Sequence, residues 1–396
     1  MSSYSFGFGR GSESGVGWNI ASGMAARGHQ VTVVTTSEFH ALNFSDDCVR
    51  DFRILEYDFD IKDFNSSAAY NKWQSLITGE IQKLCLCEHF DLIHHVTFNQ
   101  YRCLKDVFGA EGIPYVIGPI GGAETVAPIF WRELPFKQAV KEVLRYIPFD
   151  VLPLKKRIQS HGARGVVLAS TPQTAERLKK WAGLDDVLLT PIISVHESEI
   201  LSEVDSKEEP RYIVFDGGTR PEKGLNRLLE SLAVMWRSGI SVPIKVAAVP
   251  LNDVERLKKR IAALGLPENA VQLMPFMKRA EWLSVMRKAS AFVSIGFRDA
   301  GCMSLLEAVA LGIPSLCLDI TGQFWLPEDY ALKIAVRGRH FTERLAEGLK
   351  ILLLHSQKDE NWHVKRSKWL RDNMTWSVRL DYIESAYHRA LQLNLI

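Results

Sequence analysis

From Phe292 to Gly322 the chain reads FVSIGFRDAGCMSLLEAVALGIPSLCLDITG. An apolar run (Phe292, Val293, Ile295) meets a loop of small residues, and a helical pattern follows. Gly312 closes that helix, and a second apolar run covers Ile313 to Leu318. Strand, helix and strand in this order form the unit of a parallel sheet with a helical crossover. The helix is apolar (Leu305, Leu306, Ala308, Val309, Leu311) except for Glu307. A carboxylate buried there is costly unless a cation pairs with it or a ligand takes it. On the residues alone both readings stand: a Lys or Arg partner across the core, or a ligand-facing acid. Asp299 lies just before the helix, with seven residues between it and Glu307. A helix start after a Gly-bearing loop also offers unpaired N–H groups to a phosphate.

The same rhythm runs through the rest of the chain. Val31–Thr35, Asp91–His95, Tyr115–Gly118 and Val166–Ser170 read as strands separated by helical patterns. A polar, acidic stretch, SVHESEILSEVDSKEEPR from Ser194 to Arg211, breaks the series. A second series starts at Tyr212–Phe215 and continues through Ile244–Val249, Val271–Met274, Phe292–Ile295 and Ser315–Leu318. With 396 residues there is room for two α/β domains. The expected division is a first domain over 1–195, a linker over 196–210, a second domain over 211–374 and a closing helix over 375–396. Only Tyr4-Ser5-Phe6 precede the first glycines, so the first strand is expected to be short or cut.

The segment 292–322 resembles the donor-sugar motif of the family-4 glycosyltransferases, retaining enzymes of the GT-B fold. In that motif seven residues separate two acids, and Ala, a small helix end and Gly-x-Pro follow the second. Glu307-Ala308 and Gly312-Ile313-Pro314 match, and Asp299 takes the place of the first Glu. The resemblance implies two Rossmann-like doubly wound domains facing a cleft, with the last helix crossing back to the first domain. It also implies that Glu307 accepts hydrogen bonds from a ribose, and that Asp299 holds hydroxyls of the transferred sugar. The backbone of Gly301, Cys302 and Met303 would then lie against sugar or phosphate. An ionised carboxylate accepts only, which suits a vicinal diol.

Three further constellations fit that resemblance. Gly7–Gly17, GFGRGSESGVG, precedes a helical pattern over Trp18–Arg27 that Gly28 ends. A flexible turn is the plain reading; the resemblance places Gly15 and Gly17 near the donor phosphate and acceptor. Gly217-Gly218-Thr219-Arg220-Pro221-Glu222-Lys223-Gly224 follows the first strand of the second series. The family carries Gly-Arg and then Lys-Gly here. Lys223-Gly224 match, while the family's Arg falls on Gly218, leaving Arg220 two residues later as its candidate replacement. These cations would neutralise a departing diphosphate; a solvated turn is the alternative. His94 and His95 end the strand DLIHH. The family has an active-site His near this point, and one of the pair is expected to face the cleft, because strand neighbours point to opposite faces.

Composition narrows the partners. A formal net charge of +2 gives no strong pull toward nucleic acid. Six cysteines are scattered, and Cys85 and Cys87 fit neither a zinc pair nor a redox pair, so reduced thiols are expected. No apolar run approaches a membrane span, and no signal-like segment opens the chain, so a cytoplasmic location is expected. Between Lys137 and Arg157, Lys137, Lys141, Lys155, Lys156 and Arg157 alternate with Val140, Leu144, Leu152 and Leu154. Such a stretch suits the inner face of an anionic membrane, or simply a solvated helix face. The expected activity is metal-independent, retaining transfer of a hexose from a nucleotide-sugar donor, with no separate cofactor. The expected acceptor is a glycan or lipid-linked glycan, as in bacterial surface polysaccharide synthesis. A non-catalytic sugar-nucleotide-binding protein and a GT-B sugar-nucleotide epimerase are the alternatives. A dinucleotide oxidoreductase is disfavoured, because neither half carries the fingerprint glycines with a ribose-binding acid about twenty residues on.

Overall fold

A computed structural model describes residues 1–8, 12–36, 51–59, 64, 66–96, 100–104, 112–147, 164–201, 212–354 and 360–394. The chain forms two units. The first comprises Met1–Glu124, Ile147–Ser194 and Trp376–Ile396; the second comprises Thr125–Tyr146 and Val195–Thr375.

The first unit is built on seven parallel strands: β1 (Ser2–Ser3), β2 (Thr32–Thr36), β3 (Arg53–Tyr57), β4 (Ile93–Val96), β5 (Tyr115–Ile120), β6 (Gly165–Ala169) and β7 (Val187–Leu189). Their order is β3-β2-β1-β4-β5-β6-β7. The central strand is two buried serines, with Ser2 in register with Val34 on one side and His95 on the other. The apolar residues Tyr4 and Phe6 follow the strand rather than form it. The helix Trp376–Leu393 belongs to this unit and closes one face with Leu380, Ile383 and Ala386 against Val16, Ile20 and Met24. Gly23 makes that approach feasible, since a Cβ there would lie 2.2 Å from Leu380. Arg27 fastens the same pair of helices through Asp381 and Glu384, each at 2.7 Å.

The second unit carries six parallel strands: β8 (Ile213–Phe215), β9 (Ile244–Val246), β10 (Val271–Leu273), β11 (Ala291–Ser294), β12 (Ser315–Asp319) and β13 (Ala331–Ala335), ordered β10-β9-β8-β11-β12-β13. Phe215, Leu228, Leu232, Val293, Leu316 and Leu349 fill its core, each burial stabilising by about 1.5–3 kcal/mol. All-parallel sheets are covered on both faces, which is why these strands read as continuous apolar runs.

One division differs from the sequence-based expectation. Residues 125–146, expected in the first domain, group with the second unit. Phe130 lies fully buried in the second unit's core and stacks on Phe297. On the following helix, Phe136–Arg145, buried Glu142 pairs with Arg298 and Arg145, and Gln138 donates to Glu222 at 3.4 Å. The opposite face exposes Phe136, Val140, Val143 and Leu144 beside Lys137 and Lys141. The rest of the basic stretch, including Leu152, Leu154, Lys155, Lys156 and Arg157, lies outside the described residues, as does the part of the expected linker from 202 to 210. Among the described residues no helix is long and apolar enough to cross a membrane.

Candidate active site

In an open parallel sheet, ligands bind beyond the carboxyl ends of the strands where the strand order reverses. In the second unit that point falls between β8 and β11. The loops after these two strands are joined by the Phe297 amide, which donates to the Glu222 carbonyl at 2.8 Å. Gly224 turns the first loop into the helix Leu225–Arg237 with φ +81°, and a Cβ there would press on the Ile295 carbonyl at 2.7 Å.

Lys223 reaches from the first loop to Asp299 in the second, Nζ to Oδ2 at 3.3 Å. The other Asp299 oxygen accepts from the Gly301 amide at 3.1 Å, which fixes the carboxylate. Asp216, directly after β8, lies behind Lys223. Ser304 hydrogen-bonds it, and the Cys302 thiol is 3.9 Å away. Burial pushes the Asp216 carboxyl above its ordinary range, against the pull of Lys223 and Ser304. Burial alone would lower the Lys223 ammonium, but Asp299, Cys302 and Asp216 outweigh it and the net shift is upward, so Lys223 stays charged. Cys302 precedes the helix Met303–Ala310, and burial raises its thiol well above the usual range, so it is no nucleophile. The outcome is one cation between two carboxyl groups, beside a helix start.

Glu307 occupies the second turn of that helix and is almost fully buried. Arg279 donates to its Oε1 from Nε at 3.0 Å and from Nη2 at 2.7 Å. A cation partner for this acid is therefore present in the structure, on one of its two oxygens. Burial raises the Glu307 carboxyl and Arg279 draws it back down. Both Arg279 bonds fall on one oxygen, and among the described residues Oε2 accepts none.

Other expected site residues lie elsewhere or differently. Gly218 adopts φ +60°, where a side chain would be strained and a Cβ would sit 3.1 Å from the Ala248 carbonyl, so no arginine fits this turn without change. Arg220 is 68% exposed, with Glu222 at 3.8 Å, and does not join Lys223. Gly15 and Gly17 are not in a loop: the helix starts at Ser12 and holds both, buried. Gly17 lets the helix settle on Ser3 and Phe6, a Cβ there being 2.5 Å from the Ser3 hydroxyl, so its open face is filled by protein. Gly9 and Gly11 lie outside the described residues.

His94 and His95 are both buried in β4, and neither is offered to a ligand. His94 Nε2 is 2.9 Å from the Gly118 carbonyl, which only accepts, so Nε2 carries the proton. Nδ1 then accepts from the Tyr387 hydroxyl at 2.7 Å. His95 engages Ser2 at 2.6 Å and Tyr70 at 2.8 Å. Burial holds both imidazoles down to about 3. The expectation of a cleft-facing histidine is corrected: a strand covered on both faces buries both neighbours. Glu124 is likewise turned inward, accepting from the Gly122 amide, Thr171 and Thr174.

Two site residues escaped the sequence analysis. Asp216 carried a usable signal, an acid at the carboxyl end of a strand. Arg279 carried none, since 28 residues separate it from Glu307.

Residues 197–369 match the family described as Glycosyl transferases group 1. A search of curated proteins finds no significant sequence match. Among solved structures the chain is similar to WaaG, a glycosyltransferase involved in lipopolysaccharide biosynthesis, at TM-score 0.61 and 16% identity, covering 99% of each chain. It is similar to the sucrose-phosphate synthase of Thermosynechococcus elongatus at TM-score 0.69 and 14% identity, covering 97% of this chain and 94% of that one. A UDP-forming alpha,alpha-trehalose-phosphate synthase from Burkholderia xenovorans gives 0.66 and 13%, covering 98% of each. At these identities the likeness concerns the fold.

Proposed function

We propose that this chain of the GT-B fold, whose residues 197–369 match the glycosyl transferases group 1 family, is a glycosyltransferase that moves a hexose from a nucleoside-diphosphate sugar to a glycan or lipid-linked glycan with retention at the anomeric carbon. The observation that carries this reading is the meeting of Lys223, Asp299 and the start of the Met303–Ala310 helix where β8 and β11 diverge. A diphosphate seated there would meet the Lys223 ammonium and the helix amides, which favour the charge that grows as the bond from anomeric carbon to phosphate oxygen breaks. The acceptor oxygen then bonds to that carbon from the same face, and its proton passes to the departing phosphate. Asp299, held by Gly301, would take hydroxyls of the sugar, and Oε2 of Glu307 the ribose diol.

No buried histidine is asked to act as base. Water exclusion would limit loss of donor by hydrolysis. The exposed face of Phe136–Arg145, apolar with Lys137 and Lys141, supports contact with an anionic bilayer that carries the acceptor.

The test is a thermal-shift panel with UDP, GDP and ADP and their hexose conjugates on the wild type, Lys223→Ala and Glu307→Gln. One base should stabilise the wild type clearly more than the others, and both variants should lose most of that response. UDP is the first candidate, because a structural neighbour is UDP-forming. A folded wild type indifferent to every nucleotide sugar would overturn the reading.

A further inference from the structure

Arg279 stands at the start of the helix Arg279–Arg287 and touches two acids at once. Besides its two bonds to Glu307 Oε1, its Nη2 donates to Glu199 Oε1 at 2.6 Å. Glu199 is held in turn: its Oε2 accepts from the His196 amide at 2.9 Å, the reciprocal half of a capping box over the turn Glu197–Glu199. A fixed chain therefore runs from the His196 amide through Glu199 and Arg279 to one oxygen of Glu307. The helix bearing Glu307 is pinned at its other end, where buried Arg366 donates to the carbonyls of Val309 and Ala310. Among the described residues this arrangement leaves Oε2 unbonded.

We propose that Arg279 is a positioning residue for the donor, fixing Glu307 through Oε1 so that Oε2 is presented to a ligand diol. The inference rests on the reading of Glu307 as the ribose acceptor. The guanidinium holds Oε1 with two converging charge-assisted donors, Nε and Nη2, which fixes that oxygen and keeps the other free of the pair. Lysine would supply the charge without two donors held in a fixed fork. The charged groups facing Glu307 are Arg279 from its helix, Glu199 from the turn and Asp216 beyond β8. Of these only Arg279 favours the ionised acid, and both carboxylates oppose it. Removing the guanidinium leaves a buried carboxyl facing two acids, and it then takes up a proton at higher pH.

The experiment measures donor KM and kcat from about pH 5 to about pH 9 for the wild type, Arg279→Met, Arg279→Lys and Glu307→Gln, with circular dichroism to confirm folding. Arg279→Met should raise donor KM roughly tenfold or more, the loss expected when a charged hydrogen-bonding partner goes, while kcat changes by less than about threefold. Its acidic limb in kcat/KM should move to higher pH, and Arg279→Lys should recover part of the loss. An Arg279→Met enzyme that binds donor more tightly than the wild type would show that Arg279 blocks the site, and would overturn the inference. So would an unmoved acidic limb in a folded variant. Glu307→Gln separates the two levels: if it leaves donor KM unchanged, the ribose reading itself fails, whereas a raised KM there with an unaffected Arg279→Met removes only the role given to Arg279.

Discussion

The ring of Phe130 lies 4.0 Å from the ring of Phe297, parallel to within 6°. Phe297 is two residues before Asp299 in the loop after β11, so a segment remote in sequence forms the floor of the proposed donor loop. Phe341 adds an edge contact to the Phe130 ring at 4.9 Å. The next residue, Arg298, is held by Glu142 from the same remote segment. The loop that presents Asp299 is thus shaped by side chains about 160 residues upstream.

Phe130→Ala should reduce unfolding stability by about 3–5 kcal/mol, the usual loss for a buried phenylalanine. Donor KM should rise as well, because the emptied space lets the loop before Asp299 relax. Phe130→Leu should recover most of the stability. Urea unfolding and donor kinetics on the same preparations check this. A stability loss with no change in KM would separate the floor from the site.

Lys223→Ala should lower kcat by roughly 10²–10³-fold, the scale for removing one preorganised charge-stabilising donor. Arg220→Ala should change kcat by less than about threefold, since an exposed charge in water contributes little. Transfer rates at saturating donor decide between the two cations. Equal losses would mean that Arg220 folds in over the phosphate on binding.

Much of the fold was legible because apolar runs in all-parallel sheets are long and uninterrupted. Ile244–Val246, Val271–Leu273 and Ser315–Asp319 lie within or near the expected strands for that reason. The central strand β1 was not legible, because Ser2 and Ser3 have no strand-like pattern; their neighbours Val34, His95 and Val96 impose the extended form. The placement of residues 125–146 was equally hidden, since nothing local in Phe130 names Phe297 as its partner. At the site, the acid-and-helix pattern around Glu307 was visible, but its cation partner Arg279 is reached only through the fold. The left-handed turn at Gly218 explains the missing arginine after the fact, and its neighbouring glycine pair was the only local sign.

The helix Phe136–Arg145 should bind anionic vesicles. Lys137→Glu with Lys141→Glu should weaken that binding by about 1 kcal/mol or more per residue, and Phe136→Asp should remove the apolar contribution. Co-sedimentation with vesicles containing an anionic lipid, against neutral vesicles at equal salt, reads the difference. Equal retention of wild type and charge-reversed protein would assign these lysines to a solvated face. Nucleotide binding by the charge-reversed protein should be unchanged, because Lys137 and Lys141 are exposed and neither takes part in the Glu142 and Gln138 contacts described above.

The buried pair His94 and His95 should make the first unit sensitive to acid. Burial lowers both from the ordinary 6.5 to about 3. The unfolded chain therefore takes up protons first as pH falls. The stabilising contribution of the neutral rings is complete above about pH 6.5 and is lost progressively toward about pH 3, at up to about 1.4 kcal/mol per pH unit for each histidine. His94→Gln keeps an N–H for the Gly118 carbonyl but has no such proton to gain, so its unfolding free energy should fall less steeply than the wild type's across that window. The comparison with wild type is essential, since carboxylates titrate in the lower part of the same range. Transfer measured at about pH 8 should stay within about threefold for His94→Gln and His95→Gln, because neither ring is presented to substrate. A folded His95→Gln enzyme that loses 10²-fold or more in kcat would restore a general-base role, and would mean that β4 opens during turnover to release an imidazole that Ser2 and Tyr70 hold at rest.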